Sequence, residues 1–182
     1  MPKFLKGLLI GAAALAVIGY FGFGYMKSRT KKASPEEVVT FKLDDATITI
    51  AYSRPSKKDR VIFGELVPYD QVWRTGANEA TTFTTDKDLK VGEAPLSAGT
   101  YTLWTIPHPK SWVVIFNSKM YPWGVTYEGD AQRDASADVA RVEVPVEVPN
   151  EPAEQFTIAV EGTPAALTLR WDKAQVSVPL GK

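Results

Sequence analysis

The 182 residues, balanced at 21 basic and 21 acidic side chains, suffice for one ordinary domain and a terminal extension. There is no cysteine, which excludes disulfides, thiol nucleophiles, thiolate metal sites and a lipid-modified N-terminal cysteine. Residues 1–32 hold Lys3, Lys6, Lys27, Arg29, Lys31 and Lys32 and no acid, leaving the other 150 residues at a formal −6, a sign unsuited to a nucleic-acid partner.

The first element is an uncharged run of twenty residues, Gly7–Met26, GLLIGAAALAVIGYFGFGYM. As a helix it would reach about 30 Å, the depth of bilayer hydrocarbon. Tyr20, Phe21, Phe23 and Tyr25 gather at its C-terminal end as interfacial aromatics do. The run reads as an uncleaved membrane anchor within residues 1–29, in contact with membrane lipid through residues 7–26. A cleaved signal peptide is the alternative, because Lys3 and Lys6 precede the apolar core. Residues 30–37 then form a polar linker in which Pro35 stops the helix.

Residues 38–182 read as short strands with frequent turns. Val38–Leu43 and Thr47–Tyr52 flank an Asp44-Asp45 turn and predict a hairpin. Thr81–Thr85 and Leu89–Val91 follow, then a turn region over Gly92–Gly99 and a strand over Thr100–Ile106. Trp112–Phe116, WVVIF, is the continuous apolar run of a strand covered on both faces. In Val139–Val148 valines alternate with acids and Pro145, which predicts a sheet edge. Phe156–Val160, Leu167–Trp171 and Gln175–Leu180 complete the set, and a turn or two of helix is expected near Asp130–Asp138. The pattern predicts an all-β fold, an antiparallel β-sandwich with jelly-roll connectivity as one option, preceded by one N-terminal transmembrane helix.

Between the strands lies Tyr52–Thr82, YSRPSKKDRVIFGELVPYDQVWRTGANEATT, dense in Arg, Pro, Gly and aromatics and without a sustained period. Irregular segments this long are uncommon in compact domains and are often functional. Its Tyr52-Ser53-Arg54-Pro55, Ile62-Phe63-Gly64, Leu66-Val67-Pro68-Tyr69 and Val72-Trp73-Arg74-Thr75-Gly76-Ala77-Asn78-Glu79-Ala80 resemble the bacterial domain of unknown function 2911 family. Ala98-Gly99-Thr100-Tyr101, Thr105-Ile106-Pro107 and Trp123-Gly124 extend the resemblance, which runs from about Val39 to Gly162. Members of that family are typically exported, so the resemblance implies a periplasmic or other extracytoplasmic β domain on a single-pass anchor. It carries over no activity and no functional residue. Asp59 and Asp70 stand where turn formers are expected, and the anchor-like N-terminus also departs from the family pattern.

Arg54, Trp73, Arg74, Asn78, Glu79 and Trp123 are the candidate ligand-binding residues. Guanidinium forks match carboxylates and phosphates, and a tryptophan face stacks on a sugar. A glycan or an envelope protein is the partner such a site would suit. The structural alternative pairs Arg74 with Glu79 to hold the loop on the sheet, with Gly76 and Asn78 in turns of positive φ. This gives a membrane-anchored envelope protein with a non-catalytic binding or scaffolding domain. The alternative function is a carbohydrate-active hydrolase using two of Glu65, Asp70 and Glu79. No cofactor or metal site is expected: His108 is the lone histidine, and Glu128, Asp130, Asp134 and Asp138 lack the spacing of a calcium loop.

Overall fold

Asp44 takes φ 53°, the left-handed conformation that a tight two-residue hairpin turn needs. Around it β1 (Glu36–Leu43) and β2 (Ala46–Ser53) pair antiparallel without a break, from Glu36↔Ser53 to Leu43↔Ala46. This computed structural model describes residues 2–182, and within the N-terminal helix only part of the side chains. Residue contacts divide the chain into two units, Met1–Ala33 and Ser34–Lys182.

The first unit contains α1 (Lys3–Ala33). Among the described residues no helix is long and apolar enough to cross a membrane, which corrects the expected transmembrane anchor. Composition is the physical reason. In the run Gly7–Met26 the described residues include Gly7, Gly11, Gly19, Gly22 and Gly24, which add almost no apolar surface, and Tyr20 and Tyr25, which carry hydroxyls. The side chains of Leu8, Leu9, Ala12, Ala13, Ala14, Phe23 and Met26 lie outside the described residues. The expected lipid contact of residues 7–26, the single-pass topology, the periplasmic placement and the character of a membrane-anchored envelope protein therefore lose their support.

In the second unit β3 (Thr82–Thr85), β4 (Leu89–Val91), β5 (Ala94–Leu96), β6 (Gly99–Pro107) and β7 (Ser111–Asn117) follow the first hairpin. A single 3₁₀ turn, Ala135–Ala137, precedes β8 (Asp138–Pro145), β9 (Ala153–Glu161), β10 (Ala166–Asp172) and β11 (Ala174–Gly181). They build two antiparallel sheets, ordered β1-β2-β3-β6-β7-β8 and β5-β4-β11-β10-β9. Strand β5 falls inside the region expected to be only a turn. The connectivity is also not that of a jelly roll, whose Greek keys carry the chain repeatedly from one sheet to the other. Here β1, β2 and β3 are laid side by side, the β4–β5 hairpin joins the opposite sheet, and β6 to β8 then extend the first.

The core between the sheets collects Ile48, Ile50, Phe83, Leu103, Val114 and Phe116 from one side and Ile158, Leu167, Leu169, Val176 and Val178 from the other, all at most 1% exposed. Strands β6 and β7 are covered twice. Their second face carries a smaller cluster of Trp104 and Ile115 with Ala80, against which Val72, Tyr121 and Ala131 pack. That is why WVVIF is apolar at every position, whereas β1 alternates exposed and half-buried residues along its length.

Candidate functional site

The irregular segment leaves β2 at Ser53 and first crosses to the other sheet. Arg54 Nε donates to the Phe156 carbonyl at 3.1 Å and Nη2 to the Thr157 hydroxyl at 2.8 Å, both in β9. Its Nη1 lies 2.5 Å from a Glu37 carboxylate oxygen in β1. Beside it the buried Tyr52 hydroxyl accepts the Ile158 amide at 3.1 Å. Burial pushes that phenol above its ordinary pKa.

Farther on, the segment runs antiparallel along β6. The Asp70 amide donates to Pro107 at 2.9 Å, Trp73 and Thr105 exchange backbone bonds of 2.7 and 2.9 Å, and the Leu103 amide donates to Thr81 at 2.8 Å. While β6 moves from Thr105 to Leu103, the opposing chain passes from Trp73 to Thr81. Arg74–Ala80 is therefore a loop-out in a strand-like track that continues directly into β3.

Hydrogen bonds within the domain hold the shape of that loop-out. Thr75 donates to the Thr105 hydroxyl at 3.2 Å, Thr81 to the Thr75 carbonyl at 2.6 Å, and the Trp73 indole to the Gly76 carbonyl at 3.1 Å. The Asn78 amide donates to the Ser34 carbonyl at 3.1 Å. Asn78 and Gly76 have φ of 57° and 149°, and Thr75 joins them at 56°. At Gly76 an added Cβ would meet the Ser53 carbonyl at 3.0 Å and the Thr81 hydroxyl at 3.1 Å. A short side chain able to adopt positive φ, or none at all, is what the close approach to β2 requires.

The six candidate residues are not one constellation. Arg54 serves the seam between β1 and β9. The Trp73 ring belongs to the main core, stacked on Trp171 at 5.9 Å and packed edge-on against Phe156 at 5.0 Å and Trp112 at 6.2 Å. Asn78 closes onto Ser34. Arg74, Glu79 and Trp123 do come together, at the smaller cluster on the other face of β6. Arg74 Nη1 donates to the Trp123 carbonyl at 3.5 Å. Gly124, with φ 83°, lets the loop settle there: a Cβ would lie 3.2 Å from Ala80, 3.3 Å from Trp104 and 3.4 Å from Arg74. Burial lowers the Arg74 pKa, and the Glu79 charge partly restores it.

The hydrolase carboxylates are spread along the track. Glu65 and Asp70 lie on its exposed stretch, where Asp70 contacts His108 Nδ1, while Glu79 belongs to the loop-out beyond Thr105. The acids near residue 130 also diverge. Asp134 caps the 3₁₀ turn through the Ser136 amide at 3.0 Å, and Asp138 is buried in an ion pair with Arg133. Among the described residues no group of acids and histidine could hold a metal ion. One hollow of about 380 Å³ lies on the outside of β9 and β10, lined by Gln155, Thr157, Thr168 and Arg170 among others. Another of about 450 Å³ lies among Asp45, Asp86, Asp88 and Lys182. Neither includes any of the six candidates.

Sequence reasoning passed over Tyr52, Thr75, Thr81 and Thr105, the hydroxyls on which the loop-out depends. Their one signal was position, since a polar residue at an inward-facing place in a strand calls for a buried partner.

Fold and site together define a two-layer antiparallel β domain whose irregular segment is folded into the body of the sandwich. The chain belongs to the family described as protein of unknown function DUF2911, whose model matches residues 34–180. No curated protein and no solved structure matches it.

Proposed function

We propose that residues 34–182 form a non-catalytic scaffolding domain in which segment 54–81 is an internal clasp between the two sheets. One observation carries this reading: Arg54, Trp73, Thr75, Asn78 and Thr81 all direct side-chain hydrogen bonds into the domain itself. Groups held this way are preorganised for geometry, and removing one leaves a buried polar atom behind. Asn78→Ala tests the reading by urea unfolding. The expected result is a midpoint lowered by about 1–2 kcal/mol divided by the m-value. An unchanged midpoint would mean that Asn78 is not part of a clasp.

A second reading concerns Arg74 and Trp123 alone. A partly desolvated guanidinium beside a half-buried indole suits a small planar anion. Titration with acetate or inorganic phosphate, followed by tryptophan fluorescence, tests it. Saturation in the native protein and its loss in Arg74→Gln support this reading, and a flat response overturns it.

A further inference from the structure

Four strands terminate the two sheets among the described residues: β1 and β8 in one, β5 and β9 in the other. Three of them are blocked. Strand β5 is three residues long with Pro95 at its centre. Strand β8 ends in Pro145, and the chain just beyond it bridges to β11 through Glu147 and Gln175. Along β9 lies the irregular segment, with the Phe156 amide donating to Pro55 at 3.0 Å and the Lys57 amide to Glu154 at 2.7 Å. Such devices keep open sheets from adding strands.

Strand β1 has none of them. Its eight residues, EEVVTFKL, contain no proline and pair with β2 in unbroken register. Leu43 and Ala46 close the two-residue turn, so they form a hydrogen-bonded pair. Alternation then directs the backbone groups of Phe41, Val39 and Glu37 toward β2 and those of Lys42, Thr40, Val38 and Glu36 outward. The apolar row beneath is also unfinished, since Val39, Phe41 and Leu43 are only partly buried against the core, and Val38 is 61% exposed.

We infer that β1 is a docking edge for a second copy of this chain, joined antiparallel to give a continuous sheet across the two molecules. The identity of the partner follows from the charges on the strand. A two-fold axis perpendicular to the sheet keeps both cores on the same side, so a residue must meet one of the same alternation class. Centring the pair on Val39 sets Val38 against Thr40 of the second copy, with outward backbone groups in register. The same register sets Glu36 against Lys42 of the second copy, and by symmetry this happens twice. Centring on Thr40 instead sets Val38 against Lys42 and leaves no opposite charges facing. Lys42 Nζ already donates to the Thr47 hydroxyl at 2.6 Å, which holds its chain extended on the outer face with two further protons to give. Edge pairing of this kind draws its affinity from main-chain bonds and its register from cross-strand pairs.

Sedimentation velocity of the full chain at low salt, over a wide concentration range, tests the inference. The native protein is expected to form a dimer. Thr40→Pro, which removes one outward N–H at a site an edge strand tolerates, is expected to be monomeric with unchanged circular dichroism. Glu36→Lys and Lys42→Glu should each raise the dimer dissociation constant about tenfold, through two like-charge pairs. The double variant E36K/K42E should recover the native constant. A native protein that stays monomeric, a folded Thr40→Pro variant that still dimerises, or a double variant no better than either single would each overturn the inference.

Discussion

Arg54 and Glu37 meet at 2.5 Å in the seam between the sheets, with the guanidinium continuing to the Phe156 carbonyl and the Thr157 hydroxyl. One side chain thus ties β1 of the first sheet to β9 of the second. No helix or disulfide crosses this side of the sandwich to do the same. The opposite side is closed differently, by packing of β8 over the other sheet, with Gly92 so close to Val142 that a Cβ would lie 2.8 Å from it.

Arg54→Ala is expected to destabilise the domain by about 2 kcal/mol. Hydrogen bonds from a charged group are each worth about 1.5–3 kcal/mol, and exposure of about a quarter of the side chain reduces the sum. For a chain of this size that corresponds to a melting temperature lower by about 4–8 °C. Calorimetry checks it, and a shift under about one degree would remove Arg54 from the seam.

The tryptophans of the irregular segment and of the later loop should separate cleanly. Trp73→Ala takes a ring out of the cluster formed with Phe156, Trp112 and Trp171 and is expected to cost about 3 kcal/mol. Trp123→Ala removes a half-buried loop ring and should cost about 1 kcal/mol or less. Parallel urea titrations decide this. Equal losses, or the reverse order, would mean that Trp73 lies outside the core.

Gly76→Ala probes the close approach of the loop-out to β2. With φ at 149° and the Ser53 carbonyl 3.0 Å from the new Cβ, strain of about 1–3 kcal/mol is expected. Amide exchange should show it first at Ala77, whose N–H donates to Ser53 at 3.3 Å. Unchanged protection there would contradict the fold of the loop-out.

Acid and alkali should act on different ends of the domain. Asp86 accepts the Thr47 amide at 2.6 Å, Asp45 pairs with Lys182, and Asp134 accepts the Ser136 hydroxyl at 2.6 Å. The Thr47 amide, the Lys182 ammonium and the Ser136 hydroxyl respectively hold these carboxyls below their usual values. Groups lowered by folding contribute stability above the ordinary carboxylate pKa of about 4, and lose it as pH falls through the folded value. Asp86→Asn should flatten this acid limb. Tyr52 has the opposite sign, because burial raises its phenol. Its contribution is complete below about pH 10 and is lost as pH rises through the folded value. Tyr52→Phe should flatten the alkaline limb, and unfolding midpoints measured across pH would expose a wrong sign in either case.

Most strands were legible because each is a local pattern. The Asp44-Asp45 hairpin, the doubly covered WVVIF strand and the proline-bearing edge at Val139–Val148 follow from alternation and turn chemistry over a few residues. Strand β5 escaped because three residues around Pro95 carry no period. The length of the apolar run was legible as well, but not its shortfall as a membrane span: glycines and tyrosines within Gly7–Met26 dilute what its uncharged length suggests.

The candidate site was only partly legible. Its importance could be seen from the density of Arg, Gly and aromatics over Tyr52–Thr82, and the special backbone at Gly76 and Asn78 could be read from residue type. The direction in which each side chain points could not. An irregular segment has no period from which to infer a face, so Trp73 in the core and Trp123 near the surface look alike along the chain.

Sequence alone therefore determined the strands, the turns, the family and the absence of thiol chemistry, since these depend on residue type and short-range spacing. The tertiary structure alone decided that Arg54 spans the sheets, that Arg74 and Glu79 meet Trp123 while Trp73 and Asn78 do not, and that β1 is the uncovered edge. Those facts depend on contacts between residues far apart in the chain, and such contacts exist only once both sheets have closed on a common core.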